Sequence, residues 1–287
     1  MEKLSKLIDI YADNFVGDCV TLNAVLPDSP PKAVVVLSGG QDSTTCLWLA
    51  KMLGYEIHTV TFDYGQKHRV EIGAARHQSQ AVGAASHEVI KTGPILNGTS
   101  PLVSDAPLAQ YKDHSSLPGG LEKTFVPMRN QMFLTLAANR AYCLGTNILF
   151  TGVCQEDSGG YPDCTQVFID ALERASSKGS FTGEDGAPPA LKIYTPLMYL
   201  TKAESVLLAK KIPSCYGALA HTITGYDGAF PPVGKDHATL LRAKGFEEAG
   251  VPDPLVLRAN MKGLMELPST DNYSPASVLG HLPEMDL

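Results

Sequence analysis

Residues 34–43 read Val-Val-Val-Leu-Ser-Gly-Gly-Gln-Asp-Ser and run into Thr-Thr-Cys-Leu-Trp-Leu-Ala. Four apolar residues, three of them β-branched, predict a buried strand. Ser38–Ser43 then predicts a tight turn, and 44–50 a helix starting directly over it. Such a corner turns backbone N–H groups outward at the positive end of a helix dipole, an arrangement that favours phosphate. Gly39 and Gly40 let the backbone come close to a ligand. Asp42 suits the magnesium that travels with a nucleotide rather than the phosphate itself. A chain organised around this corner is confined to alternating strand and helix.

The loop lacks the Gly-Lys-Ser/Thr ending of a Walker loop and is not a Gly-x-Gly-x-x-Gly turn. It resembles the Ser-Gly-Gly-x-Asp-Ser pyrophosphate loop of ATP pyrophosphatases. Those enzymes cleave ATP between its α and β phosphates and leave AMP on a substrate oxygen.

The rest of the chain keeps the alternation. Strands are expected at 56–62, 86–90 and 147–153, and helices at 70–82, 131–144, 166–176 and 202–211, the last opened by Thr201. Residues 93–124 and 177–190, rich in Gly, Pro and Ser, read as a long loop or lid and an exposed insertion. The expected fold is α/β: an open, mostly parallel sheet with helices on both faces, followed by a small C-terminal helical or hairpin region. The expected division is an N-terminal extension (1–32), an α/β domain (33–212), a subdomain (213–250) and a C-terminal extension (251–287) that reads as weakly ordered.

Composition bounds the partners. Of 287 residues 44% are hydrophobic, enough for a full core, and no apolar run reaches membrane-spanning length. The net charge of −7 speaks against a large nucleic-acid surface. Six cysteines, none in a Cys-x-x-Cys pair, and an N-terminus without an apolar signal core fit a reduced, cytoplasmic protein without membrane partners.

Open nucleotide-using sheets place their sites beyond the carboxyl ends of the strands. The segments expected there carry specific text: Phe-Asp-Tyr-Gly-Gln-Lys-His (62–68), Phe-Val-Pro-Met-Arg-Asn (125–130), Gly-Val-Cys-Gln (152–155), Gly-Tyr-Pro-Asp-Cys (160–164) and Pro-Leu-Met-Tyr-Leu-Thr-Lys-Ala-Glu (196–204). With the loop at 38–43 and Leu-Arg-Ala-Lys-Gly-Phe (241–246), these resemble the 7-cyano-7-deazaguanine synthase family over roughly 33–250. The resemblance implies an adenine nucleotide alpha hydrolase-like fold, ATP with Mg2+, a cytoplasmic homodimer and a ligase reaction on 7-carboxy-7-deazaguanine, a precursor of queuosine. In that family ATP adenylates the carboxylate, ammonia displaces AMP to give the amide, and a second ATP drives dehydration to the nitrile. The alternatives from other classes are tRNA thiolation and a non-catalytic nucleotide-binding module.

Carried over residue by residue, the resemblance assigns ATP to Leu37, Ser38, Gly39, Gly40, Gln41, Asp42, Ser43, Thr44, Phe62, Arg129 and Gly152. It assigns the deazaguanine to Tyr64, Gln66, His68, Phe125, Met128, Asn130, Gln155, Tyr161 and Asp163. Asp42, Arg129 and Lys202 are the expected catalytic residues, with Asp42 the magnesium ligand. Arg129 suits a bidentate phosphate or carboxylate contact, and Asp163 the N–H groups of a guanine-like base.

The chain also departs from the pattern. The family's four zinc cysteines fall at Gly225, Val233, Asp236 and Thr239, two of which have no ligating side chain, so no zinc is expected. The usual glycine of Phe-Val-Pro-Gly-Arg-Asn is Met128, an Asp-Phe-Ser-Gly-Tyr segment becomes Asp157-Ser158-Gly159-Gly160-Tyr161, and an arginine becomes Thr165. Bulk from Met128 at one wall and a lost anchor at another would harm the second activation most. The expected end-product is therefore the amide, 7-amido-7-deazaguanine, with the nitrile or another amine as alternatives.

Overall fold

A computed structural model describes residues 1–23, 29–67, 69–96, 98, 100–117, 120–155, 160–180 and 189–284. Its centre is a five-stranded sheet: β1 (Lys32–Val36), β2 (Glu56–Asp63), β3 (Ser86–Lys91), β4 (Ile148–Phe150) and β5 (Lys192–Tyr194). The order is β3-β2-β1-β4-β5, and every pairing is parallel. The helices are α1 (Glu2–Asn23), α2 (Gln41–Leu53), α3 (Val70–Ala81), α4 (Arg129–Cys143), α5 (Gln166–Gly179), α6 (Lys202–Lys211), α7 (Cys215–Ala218), α8 (His237–Glu248), α9 (Pro254–Met261) and α10 (Pro275–His281).

The two-residue period of β1 divides the core. Ala33, Val35 and Leu37 face one side, against Leu47 and Ala50 of α2 and Ala75 of α3. Val34 faces the other, against Leu134, Ala137 and Ala141 of α4 and Ile169 of α5. Both faces of β1 are therefore buried, which is why its sequence is a continuous apolar run instead of an alternation.

The chain winds outward from β1 to β2 and β3, then returns to place β4 on the other side of β1. The strand order thus reverses between β1 and β4, where such sheets open a crevice beyond their carboxyl ends. β4 is shorter than the apolar run 147–153 suggests. It stops at Phe150, and Thr151–Cys154 leave the sheet to pass beside the start of α2.

Three elements depart from the expectations. Glu2–Asn23 form α1, whose Leu4, Leu7, Ile8, Tyr11 and Phe15 follow helical spacing and pack on the body of the protein. Buried Asp18 fastens that helix, accepting from Tyr55 Oη (2.7 Å), Tyr194 Oη (2.9 Å) and Lys192 Nζ (2.7 Å). β5 has only three residues, too few for any period to show. The C-terminal stretch is not loosely attached: Leu255 and Leu257 of α9 are buried, and Leu257 packs with Ala220, Leu267 and Tyr273. The insertion at 177–190 lies largely outside the described residues, because 181–188 do. Among the described residues no helix is long and apolar enough to cross a membrane.

Candidate active site

β1 runs into Leu37 and Ser38, and α2 begins at Gln41. Ser38 and Ser43 lock the turn: Ser38 N donates to Ser43 Oγ (3.2 Å), the two hydroxyls lie 3.0 Å apart, and Gly40 N donates to Ser38 Oγ (3.2 Å). Thr44 N makes the first helical bond, to Gly40 O, and Gly40 supplies no side-chain cap. The amides of Gln41, Asp42 and Ser43 thus have no partner within the helix, the condition that favours an anion. Gln41 is 95% buried, and neither end of its carboxamide has a hydrogen-bond partner. Buried amides of this kind normally find partners, and an anionic ligand at the loop would supply one.

Two glycines make the corner possible. Gly39 has φ +86, and a Cβ there would collide with Glu71 O and Ala75 N of α3. Gly152, arriving from β4, presses so closely on α2 that a Cβ would lie 2.8 Å from both Asp42 C and Ser43 N. Gly152→Ala should therefore displace the loop and reduce turnover on the order of a hundredfold, the scale for a misplacement of about 1 Å. Steady-state kinetics beside a thermal melt would check this, with turnover expected to fall far more than stability.

The loop forms one wall of a cavity of about 380 Å³, which also takes residues from the ends of β2 and β4, from α4 and from residues 222–236 before α8, where turns and bends without paired strands stand at the position of the expected hairpin. Leu37, Ser38, Gly40, Gln41, Asp42, Ser43, Phe62, Arg129 and Gly152 all line it, as do Tyr64, Gln66, Asn130, Tyr161 and Lys202. The size suits a small-molecule site.

Lys202 stands at the first position of α6, after Thr201, whose side chain exchanges capping bonds with Glu204. Its Nζ reaches Asp42 Oδ2 at 2.9 Å and Oδ1 at 3.1 Å. The lysine stem crosses α8 at Gly245, where a Cβ would strike it. Asp42 is therefore held in an ion pair, and a metal binding there would share its carboxylate with Lys202. Arg129 opens α4 beside Tyr64, Tyr161, Tyr226 and Asp163; burial opposes its charge, but these neighbours raise its pKa overall. Phe133, one turn further on, stacks on Phe62 with centroids 4.2 Å apart and planes 2° apart, and packs on Tyr64.

Other expected site residues lie elsewhere. Gly39 packs under α3, and Thr44 is fully buried behind the loop. Phe125 packs on the Tyr161 ring (5.3 Å between centroids) without lining the cavity. Asp163 is one layer behind, accepting from Asn130 N (3.2 Å) and fixing the Tyr161 segment to α4. Gln155 is exposed. Met128 corrects the expectation of a bulky wall: it takes the left-handed conformation, φ +65, that a glycine would adopt freely, and its side chain is 59% exposed and off the cavity. Thr165 caps α5 by accepting from Phe168 N. His68 and Ser158-Gly159 lie outside the described residues. The thiols of Cys46 and Cys215 are buried and pushed up by desolvation, and Cys164 is pushed up to about 12, so none is activated as a nucleophile.

The segment before α8 contributes residues that the sequence did not single out, Thr224 and Tyr226, and α8 adds His237 at its start. That segment and the first turn of α8 carry the four altered positions. A Cβ on Gly225 would lie 2.7 Å from Asp227 Oδ1, 3.0 Å from Thr239 Oγ1 and 3.3 Å from Asp236 Oδ2. Positions 225, 236 and 239 therefore do converge, as the alignment of ligands requires. What converges does not suit zinc: Asp236 caps α8, accepting from Ala238 N, Thr239 N and Thr239 Oγ1, and Gly225 and Thr239 add no carboxylate, thiolate or imidazole. Among the described residues no group of three or more His, Cys, Asp or Glu could hold a metal ion.

Arg242 supports that segment from α8. Its Nε and Nη2 clamp Asp253 (2.6 and 2.7 Å), Nη1 donates to Thr222 and Thr224 (2.7 and 2.6 Å), and Nη2 also reaches Leu219 O (3.2 Å). All five guanidinium donors are thus used.

The queuosine biosynthesis protein QueC family model matches residues 32–250. The chain belongs to that family. The matched span contains the loop, the cavity-lining ends of β2 and β4, Lys202 and Arg242, and it stops just before Asp253. Its relatives include proteins named 7-cyano-7-deazaguanine synthase. The one from Gloeobacter violaceus is 53% identical over 78% of this chain and 95% of its own length. The one from Chromobacterium violaceum is 46% identical over 82% and 98%. Among solved structures, a 4-thiouridine synthetase–RNA complex with bound ATP aligns at a TM-score of 0.43 and 18% identity, over 82% of this chain and 53% of its own.

Proposed function

We propose that this QueC-family chain is an ATP-dependent ligase that adenylates the carboxylate of 7-carboxy-7-deazaguanine and passes the acyl group to ammonia. The observation that carries the reading is the loop at the switch point: unpartnered amides at the start of α2, an unpartnered buried Gln41, and Arg129 and Lys202 in the same cavity. The names of the relatives support the substrate class.

A carboxylate is a poor electrophile because oxide is a poor leaving group. Adenylation replaces it with AMP. In the first step a carboxylate oxygen attacks the α-phosphorus and pyrophosphate leaves. The amides of residues 41–43 and the Lys202 ammonium face the charge that grows on pyrophosphate. Arg129, a rigid fork lining the same cavity, suits the α-phosphate or the carboxylate. Asp42 is the carboxylate that would hold the magnesium travelling with ATP, and the ion would supply neutralisation of charge on the departing pyrophosphate. Phe62, Phe133, Tyr64 and Tyr161 offer flat apolar surfaces for the purine-like rings. No zinc is part of this reading, and a homodimer and a cytoplasmic location are taken from the family resemblance.

The end-product of the reading is the amide. Its support is the segment before α8, which forms part of the cavity wall through Thr224 and Tyr226 and is shaped without the family's ligand cysteines. A second activation must turn the amide oxygen to a new ATP and exclude water, so it depends most on that wall. A second reading, completion to the nitrile, is favoured by Met128 pointing away from the cavity and Thr165 serving as a cap. Product mass and the AMP count decide between them. With 7-carboxy-7-deazaguanine, ATP and ammonium, the expected result is one AMP per product at the amide mass; two AMP and the nitrile mass would establish the second reading.

A further inference from the structure

Glu71 is a carboxylate that the adenylation step does not use. It lies in the first turn of α3 and lines the cavity, on the same side as Tyr64 and Gln66. Gln66 holds it: Gln66 Nε2 donates to Glu71 Oε1 (3.0 Å) and to Phe62 O (3.1 Å), while Gln66 Oε1 accepts from Tyr64 N (2.9 Å). Both ends of that carboxamide are fixed to the end of β2, so the orientation of Glu71 is fixed through it.

A counter-ion role is the simplest alternative. Among the described residues, the ionisable groups facing Glu71 are Arg129 from α4 and Tyr64 from the end of β2. Neither forms a hydrogen bond or ion pair with it, and Arg69, beside it in the chain, pairs with Asp63. Gln66 is a neutral partner. A carboxylate held by an amide in a cavity wall, with no cation bound to it among the described residues, is arranged to exchange a proton.

We propose that Glu71 is the general base of the amidation step, accepting the proton that the nitrogen nucleophile must shed. The proposal rests on the ligase reading above. Ammonia attacks the acyl-adenylate carbon and the C–N bond forms. The nitrogen then carries an extra proton and would readily leave again. Transfer of that proton to the Glu71 carboxylate commits the intermediate, the C–O bond to AMP breaks with its electron pair, and the amide remains. The sum is acyl-adenylate plus ammonia giving amide, AMP and one proton, which Glu71 later returns to water. Burial raises the Glu71 pKa to about 7, against the opposing effects of Gln66 and Arg129. This is the range in which a base at neutral pH is most effective.

The test compares the unaltered protein with Glu71→Gln, which keeps the acceptor for Gln66, across pH 6–9. Two rates are read: ATP–pyrophosphate exchange dependent on 7-carboxy-7-deazaguanine, and amide formation expressed per concentration of free NH3. In the unaltered protein amide formation should fall as pH drops through about 7, where Glu71 becomes protonated. In Glu71→Gln it should be lower by on the order of a hundredfold or more and lack that limb. Exchange should stay within about threefold, which also shows that the variant is folded, and Glu71→Asp should restore the limb in part. Parallel loss of exchange and amidation, an unchanged acid limb, or a raised KM for the acid at unchanged kcat would overturn the proposal. Absence of exchange in the unaltered protein would remove the adenylation reading, and this proposal with it.

Discussion

Replacing Asp42 with alanine is expected to abolish pyrophosphate release while leaving the fold in place. Asp42 is at the second position of α2, where alanine is an equally good or better helix former. Its carboxylate makes one contact of consequence, with Lys202. Removing it leaves the lysine cation in place but takes away the hard oxygen donor suited to magnesium, and with it the neutralisation of charge on the leaving group. Losses of 10²–10³ are usual when one such stabilising group is deleted, and the loss here should be on the order of 10³. A melt within a few degrees of the parent should accompany it. Turnover unaffected at saturating magnesium would show that Asp42 merely anchors Lys202.

Replacing Arg242 with methionine should destabilise the protein by about 3–5 kcal/mol, because it leaves the Asp253 carboxylate buried without its charge partner. Arg242 is 3% exposed and Asp253 4% exposed as side chains, so water cannot substitute. The same change releases Thr222 and Thr224 and so loosens the segment before α8 that lines the cavity. Chemical denaturation would measure the first effect. Asp253→Asn, which keeps the shape and one acceptor, should cost less than Arg242→Met. The companion measurement is metal content: purified protein should hold well under one zinc per chain, and a chelator should not shift the melt. A chelator-sensitive melt would mean that this segment is held by metal and not by Arg242.

The parts of the structure that were legible in the sequence are those where local pattern and tertiary environment agree. The continuous apolar run before Ser38 could only be a strand buried on both faces, and the glycines after it required a tight corner. α6 was legible because Thr201 and Glu204 spell a capping box. Elements that depend on their surroundings were harder. β5 is a strand only because β4 lies beside it, with three residues too few for a period to show. The spacing of Leu4, Leu7, Ile8, Tyr11 and Phe15 was present to be read in α1.

For the site, Leu37, Ser38, Gly40, Gln41, Asp42, Ser43, Phe62, Tyr64, Gln66, Arg129, Gly152 and Lys202 come together around one cavity, whereas Gly39, Thr44, Phe125, Gln155 and Asp163 do not line it. The misses have physical causes. Met128 changes chemistry at a position where the requirement is a backbone angle, so its side chain is free to leave the cavity. Glu71 sits in an alanine-rich helix whose spacing says nothing about which face meets a ligand. Tyr226 belongs to a segment whose most visible feature was the cysteines it lacks, and the text of 241–246 gave Arg242 no partner, because Asp253 is brought to it only by the fold.

The central claim is that the substrate carboxylate attacks the α-phosphorus of ATP. It is tested most directly with 7-carboxy-7-deazaguanine labelled with 18O in its carboxyl group, followed by mass analysis of the nucleotide and phosphate products. If the carboxylate is adenylated and then amidated, one labelled oxygen must appear in AMP and none in pyrophosphate. Unlabelled AMP, or label in inorganic phosphate with ADP as the nucleotide product, would contradict the assignment.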